Sequence, residues 1–560
     1  MLRINDCTQY IAAYNIRQMK KIQLVTSLLC FLFCCGINAQ NNYVSKVWVA
    51  DNGDGTYKNP IINADYSDPD VCRVGNDYYM TASSFGCAPA IPVLHSYDLV
   101  NWQLVNYAMK RILPDDVFSK PMHGKGVWAP CIRFHNNEFF IYWGDPDYGI
   151  YRIKTENPLG EWSEPDLVIP GKGLIDPCPL WDTDGKVYLV HGWAGSRAGL
   201  NSILTVNELN DDGSKVIGET ALVYDGLPQG NHTVEGPKFY KRNGYYYILA
   251  PAGGVEQGWQ IALRSKNVYG PYECKTVMAQ GKSSINGPHQ GGWVETQKGE
   301  SWFVNFQDKG AYGRVINLQP MKWVNDWPVI GVDKEGMGCG EPVLTYKKPT
   351  IGKSYPVETP VESDEFNTEK LGLQWQWNAN PKQSDGMPSR LGFIRLYAEF
   401  MPEDYSNFWQ VPNLLLQKFP SDEFMATTKV DFYSQTKEEK TGLIVMGLNY
   451  SHIALVKKED GFEIQQRVCI DAEKKNPETL IAGKVLAQSK VFLRVQVKKD
   501  AMCTFSYSID GVIFTPFGEP FKAHQGKWIG AKVGIFCLSP LKTGSRGYAD
   551  FDWFHVEKNN

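Results

Sequence analysis

Five aromatic, strand-like cores recur along this chain, and four of them follow a short proline-marked motif at nearly constant distance. The cores begin at Tyr78, Phe139, Val187, Tyr245 and Trp302, in steps of 61, 48, 58 and 57 residues. Ahead of them stand Asp68-Pro69, Trp128-Ala129-Pro130, Asp176-Pro177 and Glu235-Gly236-Pro237. From Asp68, Ala129, Asp176 and Glu235 to the core is 10, 10, 11 and 10 residues. The fifth repeat is looser: His289, in Pro288-His289, stands 13 residues before Trp302. A unit repeated at this period cannot bury its apolar face alone and packs against its copies, as propeller blades do. The first strand of each blade starts near the central axis, so equivalent positions at those starts converge. Two Asp, one Glu and one His, distant in sequence, are thereby expected around one pocket.

With 560 residues the chain is long enough for two or three domains. The repeats occupy 43–345, where turn signals such as Asp182-Thr-Asp-Gly185 and Arg242-Asn-Gly244 separate short runs rich in Tyr, Val, Ile and Phe. Residues 346–363, with Pro349, Pro356 and Pro360, read as a linker. From Asp364 to 560 a second module begins. Its strand-like runs (425–430, 441–448, 453–456, 491–497, 531–536) and the alternating close Gly547-Tyr-Ala-Asp-Phe-Asp-Trp-Phe554 predict a two-sheet β-sandwich. The whole is therefore all-β, a propeller followed by a sandwich. A formal net charge of −4 offers no basic footprint for nucleic acid or an anionic membrane.

Residues 1–39 read as an export signal. Lys20-Lys21 form the positive region, 22–35 the apolar stretch and Ala39-Gln40 the cleavage point, with Met19 rather than Met1 as the start. The apolar run is too short for a membrane span, and Cys34 or Cys35 is the alternative lipid-anchored position. Export places the protein in the periplasm, with the cell surface or medium as the other destinations. Nine cysteines remain beyond the leader, an odd number without regular spacing. They form neither a disulfide framework nor a C-x-x-C zinc pattern and read as small buried hydrophobes, one pair of which could bridge.

The acids carry the chemistry. Asp68 sits in Asn63-Ala-Asp-Tyr-Ser-Asp-Pro-Asp70, Asp176 in the apolar Gly173-Leu-Ile-Asp-Pro-Cys-Pro179, and Glu235 in His232-Thr-Val-Glu-Gly-Pro237. Singly, each reads as a turn cap or a solvated acid. A carboxylate in an apolar stretch, however, needs a partner or a purpose, and the three share one register. Glycoside hydrolysis uses such a set: an acid to protonate the departing oxygen, a base to activate water, and a neighbouring charge that keeps the acid protonated.

With the acids in place, a resemblance becomes specific. The stretches Asn59-Pro-Ile-Ile-Asn63, Ser67-Asp-Pro-Asp70, Ile91-Pro-Val-Leu-His-Ser-Tyr-Asp-Leu-Val-Asn-Trp102, Val127-Trp-Ala-Pro130, Asp176-Pro177, Glu235-Gly-Pro237 and Gly313-Arg-Val-Ile-Asn-Leu-Gln-Pro320 resemble family 43 of the glycoside hydrolases. Those enzymes act on α-L-arabinofuranosides and β-D-xylosides. Asp364-Glu-Phe-Asn367, Gln374-Trp-Gln-Trp377 and Tyr548-Ala-Asp-Phe-Asp-Trp553 resemble the concanavalin-like sandwich that follows such propellers. The resemblance implies five blades and an inverting mechanism with Asp68 as general base, Glu235 as general acid and Asp176 tuning and orienting Glu235. An inverting pair should stand about 6.5–9.5 Å apart. The resemblance also implies that Arg314 reaches the sugar or the base. His289 would contact a structural calcium through water, since calcium takes oxygen ligands. Trp128 and Phe85 would wall the pocket by stacking on a sugar face, or else serve as core. No organic cofactor is implied. The expected activity is exo-acting release of terminal α-L-arabinofuranose from hemicellulose side chains, in xyloglucan or arabinoxylan oligosaccharides. β-D-xylosidase activity is the alternative, and a non-catalytic glycan-binding protein is the reading from another class.

Overall fold

The structure is a computed structural model, and it describes residues 43–540 and 544–559. The expected leader lies outside these residues. Among them no helix is long and apolar enough to cross a membrane. Residues 44–560 form one compact unit.

Five four-stranded antiparallel sheets make up the propeller. Their innermost strands are Asp70–Val74, Trp128–His135, Leu174–Trp181, Lys238–Arg242 and His289–Glu295. The five aromatic cores of the sequence are the second strands, starting at Asp77, Glu138, Val187, Tyr245 and Ser301. Each is buried on both faces between neighbouring blades, which is why they read as continuous apolar runs instead of alternating ones. The ring is closed by chain ends. Ile61 N donates to Ile316 O at 2.7 Å and Tyr66 N to Arg314 O at 3.0 Å, which seats the first segment on blade five. Thr56–Lys58 pairs with Thr345–Lys347. The stretch read as a linker is docked: Tyr355 stacks on Tyr97 at 4.7 Å, and Ser45 donates to Thr359 and Glu362.

Five residues share one unusual backbone conformation. Asp68, Ala129, Asp176, Gly236 and Gly287 each immediately precede a proline, and all have positive φ (56°, 37°, 56°, 57° and 38°). Two residues after Asp68, Gly236 and Gly287 the innermost strand begins. In blades two and three the bend is a bulge inside the strand, between Trp128 and Cys131 and between Ile175 and Cys178. A bulge at a strand's axial end bends the chain and re-aims one side chain. This corrects the sequence register. The equivalent of Asp68 and Asp176 in blade four is Gly236, so Glu235 stands one residue ahead of the bend and uses its longer side chain.

The C-terminal module packs a sheet of eight strands on one of seven. The five predicted runs fall in the strands Phe424–Tyr433, Lys440–Met446, Tyr450–Lys458, Lys490–Lys498 and Lys532–Ser539, and Tyr548–Glu557 closes the fold. Trp375 and Trp377 are core residues, at 1% and 7% exposure. The backbone of Trp377 pairs with that of Ala88 of the propeller in both directions, at 2.6 and 3.1 Å. The nine described cysteines are all free.

Candidate active site

The three acids of the Asn63–Asp70 segment have separate jobs. Asp65 is a staple: it accepts from Arg314 N at 2.8 Å and from Gly530 N of the sandwich at 3.0 Å. Asp70 is wholly buried against Arg133 at 2.6 Å and accepts from Ile132 N. Asp68, left-handed before Pro69, is buried at 5% exposure. Its Oδ2 accepts from Ser67 Oγ at 2.7 Å and Ser83 Oγ at 2.6 Å, while Oδ1 faces Arg314 Nη1 at 3.4 Å. Three donors around one carboxylate are what a buried anion requires. Ser83 is itself oriented, since its Oγ accepts from Ala129 N at 2.7 Å.

Asp176 lies deeper. Gly236 N donates to its Oδ2 at 2.7 Å and Gln290 Nε2 at 3.3 Å. Burial raises its pKa and the Asp68 charge raises it further; Lys238, the Gly236 N–H and Arg314 oppose this. Lys238, three residues beyond Glu235, is itself fully buried. Glu235 keeps 26% of its side chain exposed. Its pKa is raised above the ordinary carboxylate range, first by desolvation, then by the charges of Asp176 and Asp68. The Asp176–Gly236 hydrogen bond fixes Asp176 against the residue that follows Glu235.

His289 is fully buried, with Nε2 3.5 Å from Glu235 Oε1. Burial, assisted by Arg314, lowers its pKa to about 3, so the ring is neutral. Calcium needs six to eight oxygens. Among the described residues no group of three or more His, Cys, Asp or Glu side chains is arranged to hold a metal. Both ring nitrogens of His289 are buried and lack a hydrogen-bond partner among the described residues, and no step below runs through a metal. Arg314 joins the site as expected, bridging Asp68 and Asp308, whose Oδ2 is 3.8 Å from its Nε. Trp128 stands at the rim, its Nε1 donating to Gly124 O at 3.1 Å and Arg197 lying 5.5 Å over its ring. Phe85 is a core residue, the second of the two readings: at 3% exposure it lies edge-on to Trp128.

The sequence leaves open whether the sandwich only packs against the propeller or also sends a loop to the rim, and the structure shows such a loop. The loop Gln525–Ala531 is pinned to the propeller by the Gly530–Asp65 bond and by Ala531 N on Ala311 O at 2.7 Å. It delivers Trp528, 48% exposed, to within 6.3 Å of Trp128 and 5.9 Å of the Arg314 guanidinium. Asp308, Arg314 and Gln525–Ile529 line a cavity of 240 Å³. The signal was a tryptophan between two glycines, Gly526-Lys-Trp-Ile-Gly530, outside any strand pattern. Ser83, Lys238 and Gln290 were missed because nothing local distinguishes them.

Comparison with known proteins agrees with this architecture. Residues 57–328 match the model of Glycosyl hydrolases family 43, and 363–557 match the Beta xylosidase C-terminal Concanavalin A-like domain. A Xylanibacter ruminicola protein named "Putative beta-xylosidase" is 38% identical over 508 residues, 90% of this chain and 89% of its own length. A Formosa agariphila "Beta-xylosidase" is 32% identical over 90% of both chains. The Bacteroides ovatus "Non-reducing end alpha-L-arabinofuranosidase BoGH43B" is 30% identical over 89% of this chain and 94% of its own. Among solved structures, the Bacillus licheniformis GH43 protein BlXynB superposes with a TM-score of 0.76 at 27% identity, over 90% of this chain and all of that one. With both domains matched end to end, this chain belongs to glycosyl hydrolase family 43.

Proposed function

We propose that the protein is an exo-acting, inverting β-D-xylosidase that releases single xylose units from the non-reducing ends of xylo-oligosaccharides. The observation that carries the reaction type is Glu235: an acid with a raised pKa, part exposed and beside the charges of two further carboxylates. In this reading Glu235 gives its proton to the glycosidic oxygen as the C–O bond breaks. Asp68, held by Ser67, Ser83 and Arg314, takes a proton from the water that attacks the anomeric carbon from the opposite side. Asp176 keeps the Glu235 proton in place through its charge and through the Gly236 bond. The walls formed by Trp128 and Trp528 support release of one terminal unit.

Relatives named as beta-xylosidases support xylose as the sugar. The sequence put α-L-arabinofuranose first, and the Bacteroides ovatus relative supports that second reading. Measuring kcat/KM on aryl β-D-xyloside and aryl α-L-arabinofuranoside side by side decides between them. A clear preference for the arabinoside would overturn the xylosidase assignment. Proton NMR of the first product formed from a β-xyloside should show α-xylose; β-xylose would rule out inversion. A glycan-binding protein without catalysis would turn over neither substrate.

A further inference from the structure

Beyond the pocket rim lies a groove of 820 Å³ between the propeller residues 120–125 and the sandwich residues 402–412. That volume is in the range of ligand sites, about 300–1,000 Å³. We propose that this groove holds the leaving-group side of a xylo-oligosaccharide, the sugars two or more units beyond the scissile bond, with Trp409 as the stacking platform. The proposal rests on the glycosidase reading above and extends it.

The groove adjoins the pocket. Its propeller wall, Met122–Lys125, is also the ground on which the rim stands. Gly124 O accepts from Trp128 Nε1, and a methyl group at Gly124 would meet Trp528 Cδ1 at 2.9 Å and Lys527 Cγ at 2.6 Å. Lys125 pairs with Asp147 at 3.4 Å, Asp147 holds Arg197 at 3.2 Å, and Arg197 lies over Trp128. The segment Met122–Lys125 thus lines the groove and also carries the contacts to Trp128 and Trp528 at the rim. A pocket that takes a single terminal sugar leaves the rest of the chain outside, on the side of the oxygen that the acid protonates.

The groove also has the chemistry of a sugar site. Trp409 stacks on His123 with ring centroids 3.6 Å apart and planes at 21°. His123 Nε2 is bonded to Trp409 O at 2.8 Å, and Asn407 Oδ1 accepts from Trp409 N at 2.9 Å, so the platform is fixed before any ligand arrives. Burial holds His123 uncharged. A pyranose has an apolar C–H face that a flat indole can desolvate, and equatorial hydroxyls that need polar edges. Gln410 and the Lys475–Asp404 pair at 3.1 Å supply such edges, with both charge signs, which suits a neutral chain. Binding energy gained at this distance can be spent on orienting the scissile bond, so it appears in kcat/KM.

The test compares kcat/KM on aryl β-xyloside, xylobiose, xylotriose and xylotetraose for the wild type and Trp409→Ala. The expected result is a several-fold rise from xylobiose to xylotetraose in the wild type. The variant should lose that rise, falling about tenfold on xylotetraose while aryl xyloside turnover stays unchanged. Trp409→Leu keeps the apolar contact with His123 without the flat face and carries the test if the alanine variant does not fold. An unchanged tetraose-to-biose ratio in the variants overturns the proposal. So does an equal loss on every substrate, which is the signature of a purely structural tryptophan. A wild type that leaves aryl xyloside and xylo-oligosaccharides untouched sinks the xylosidase reading and this proposal with it, whereas aryl turnover without a chain-length effect sinks the groove alone.

Discussion

At the scale of single residues, three carboxylates and one guanidinium meet in the candidate site, with two of the acids raised in pKa. Replacing Glu235 by Gln removes the transferable proton with little change in shape. Turnover of substrates with poor leaving groups should fall by about 10²–10⁴-fold, while xylobiose binding measured by calorimetry stays near the wild-type level. Asp176→Asn has a different signature. The Asp176 charge is the second-largest cause raising the Glu235 pKa, after burial. Removing it lowers that pKa, so the acid loses its proton at lower pH and the alkaline limb of the kcat/KM profile moves down by about one pH unit. An unmoved limb would show that burial alone sets the acid. The acids stood out in the sequence because three chemically costly residues lay at 10, 11 and 10 residues before a strand core. Ser83 and Gln290 were not, because a serine or glutamine becomes meaningful only through the partner it meets, and those partners, Asp68 and Asp176, are 15 and 114 residues away.

At the scale of elements, the left-handed residue before proline does the positioning. Positive φ is uncommon outside glycine, and a proline next in the chain narrows the choices further. Such strain persists only where the surroundings over-determine it. Blade four places glycine at the bend and sets the acid one residue earlier. A Cβ on Gly236 would lie 2.4 Å from Gln290 Cγ, and Gln290 and the Gly236 N–H both serve Asp176. Gly236→Ala should therefore cost about 1–3 kcal/mol of stability, read by denaturant titration, and should lower kcat more than the stability loss accounts for. Strand spacing was readable because each second strand is buried on both faces and shows as an unbroken aromatic run. The one-residue slip at Glu235 was not, because a spacing count cannot distinguish an acid at the bend from one just before it.

At the scale of the whole molecule, the sandwich is part of the enzyme. Its loop closes the rim with Trp528, and its Lys532, 4% exposed, reaches Cys87 across the junction while also donating to Gln376 of its own module. Backbone pairing between Ala88 and Trp377 and the Ala501 bond to the Tyr312 hydroxyl at 2.7 Å add further ties. The intact protein should unfold in one calorimetric transition; two well-separated transitions would contradict this coupling. Trp528→Ala should raise KM on xylobiose about tenfold or more and leave the melting temperature nearly unchanged, since the ring is half exposed. Two modules were evident in the sequence. Their junction was not, because its contacts join residues hundreds of positions apart.

The five bends have a consequence for how such a catalyst changes over time. One backbone corner is repeated around a ring, and the letter written at each corner is Asp, Ala, Asp, Gly and Gly. The ring works as a turret with five ports, of which two present a carboxylate, one hands the task to its neighbour Glu235, and the others stand blank. Chemistry can be rewritten one port at a time without redrawing the frame, and Ala129, at the same corner in blade two as Asp68 and Asp176 hold in blades one and three, is a port where a single substitution would place a fourth acid.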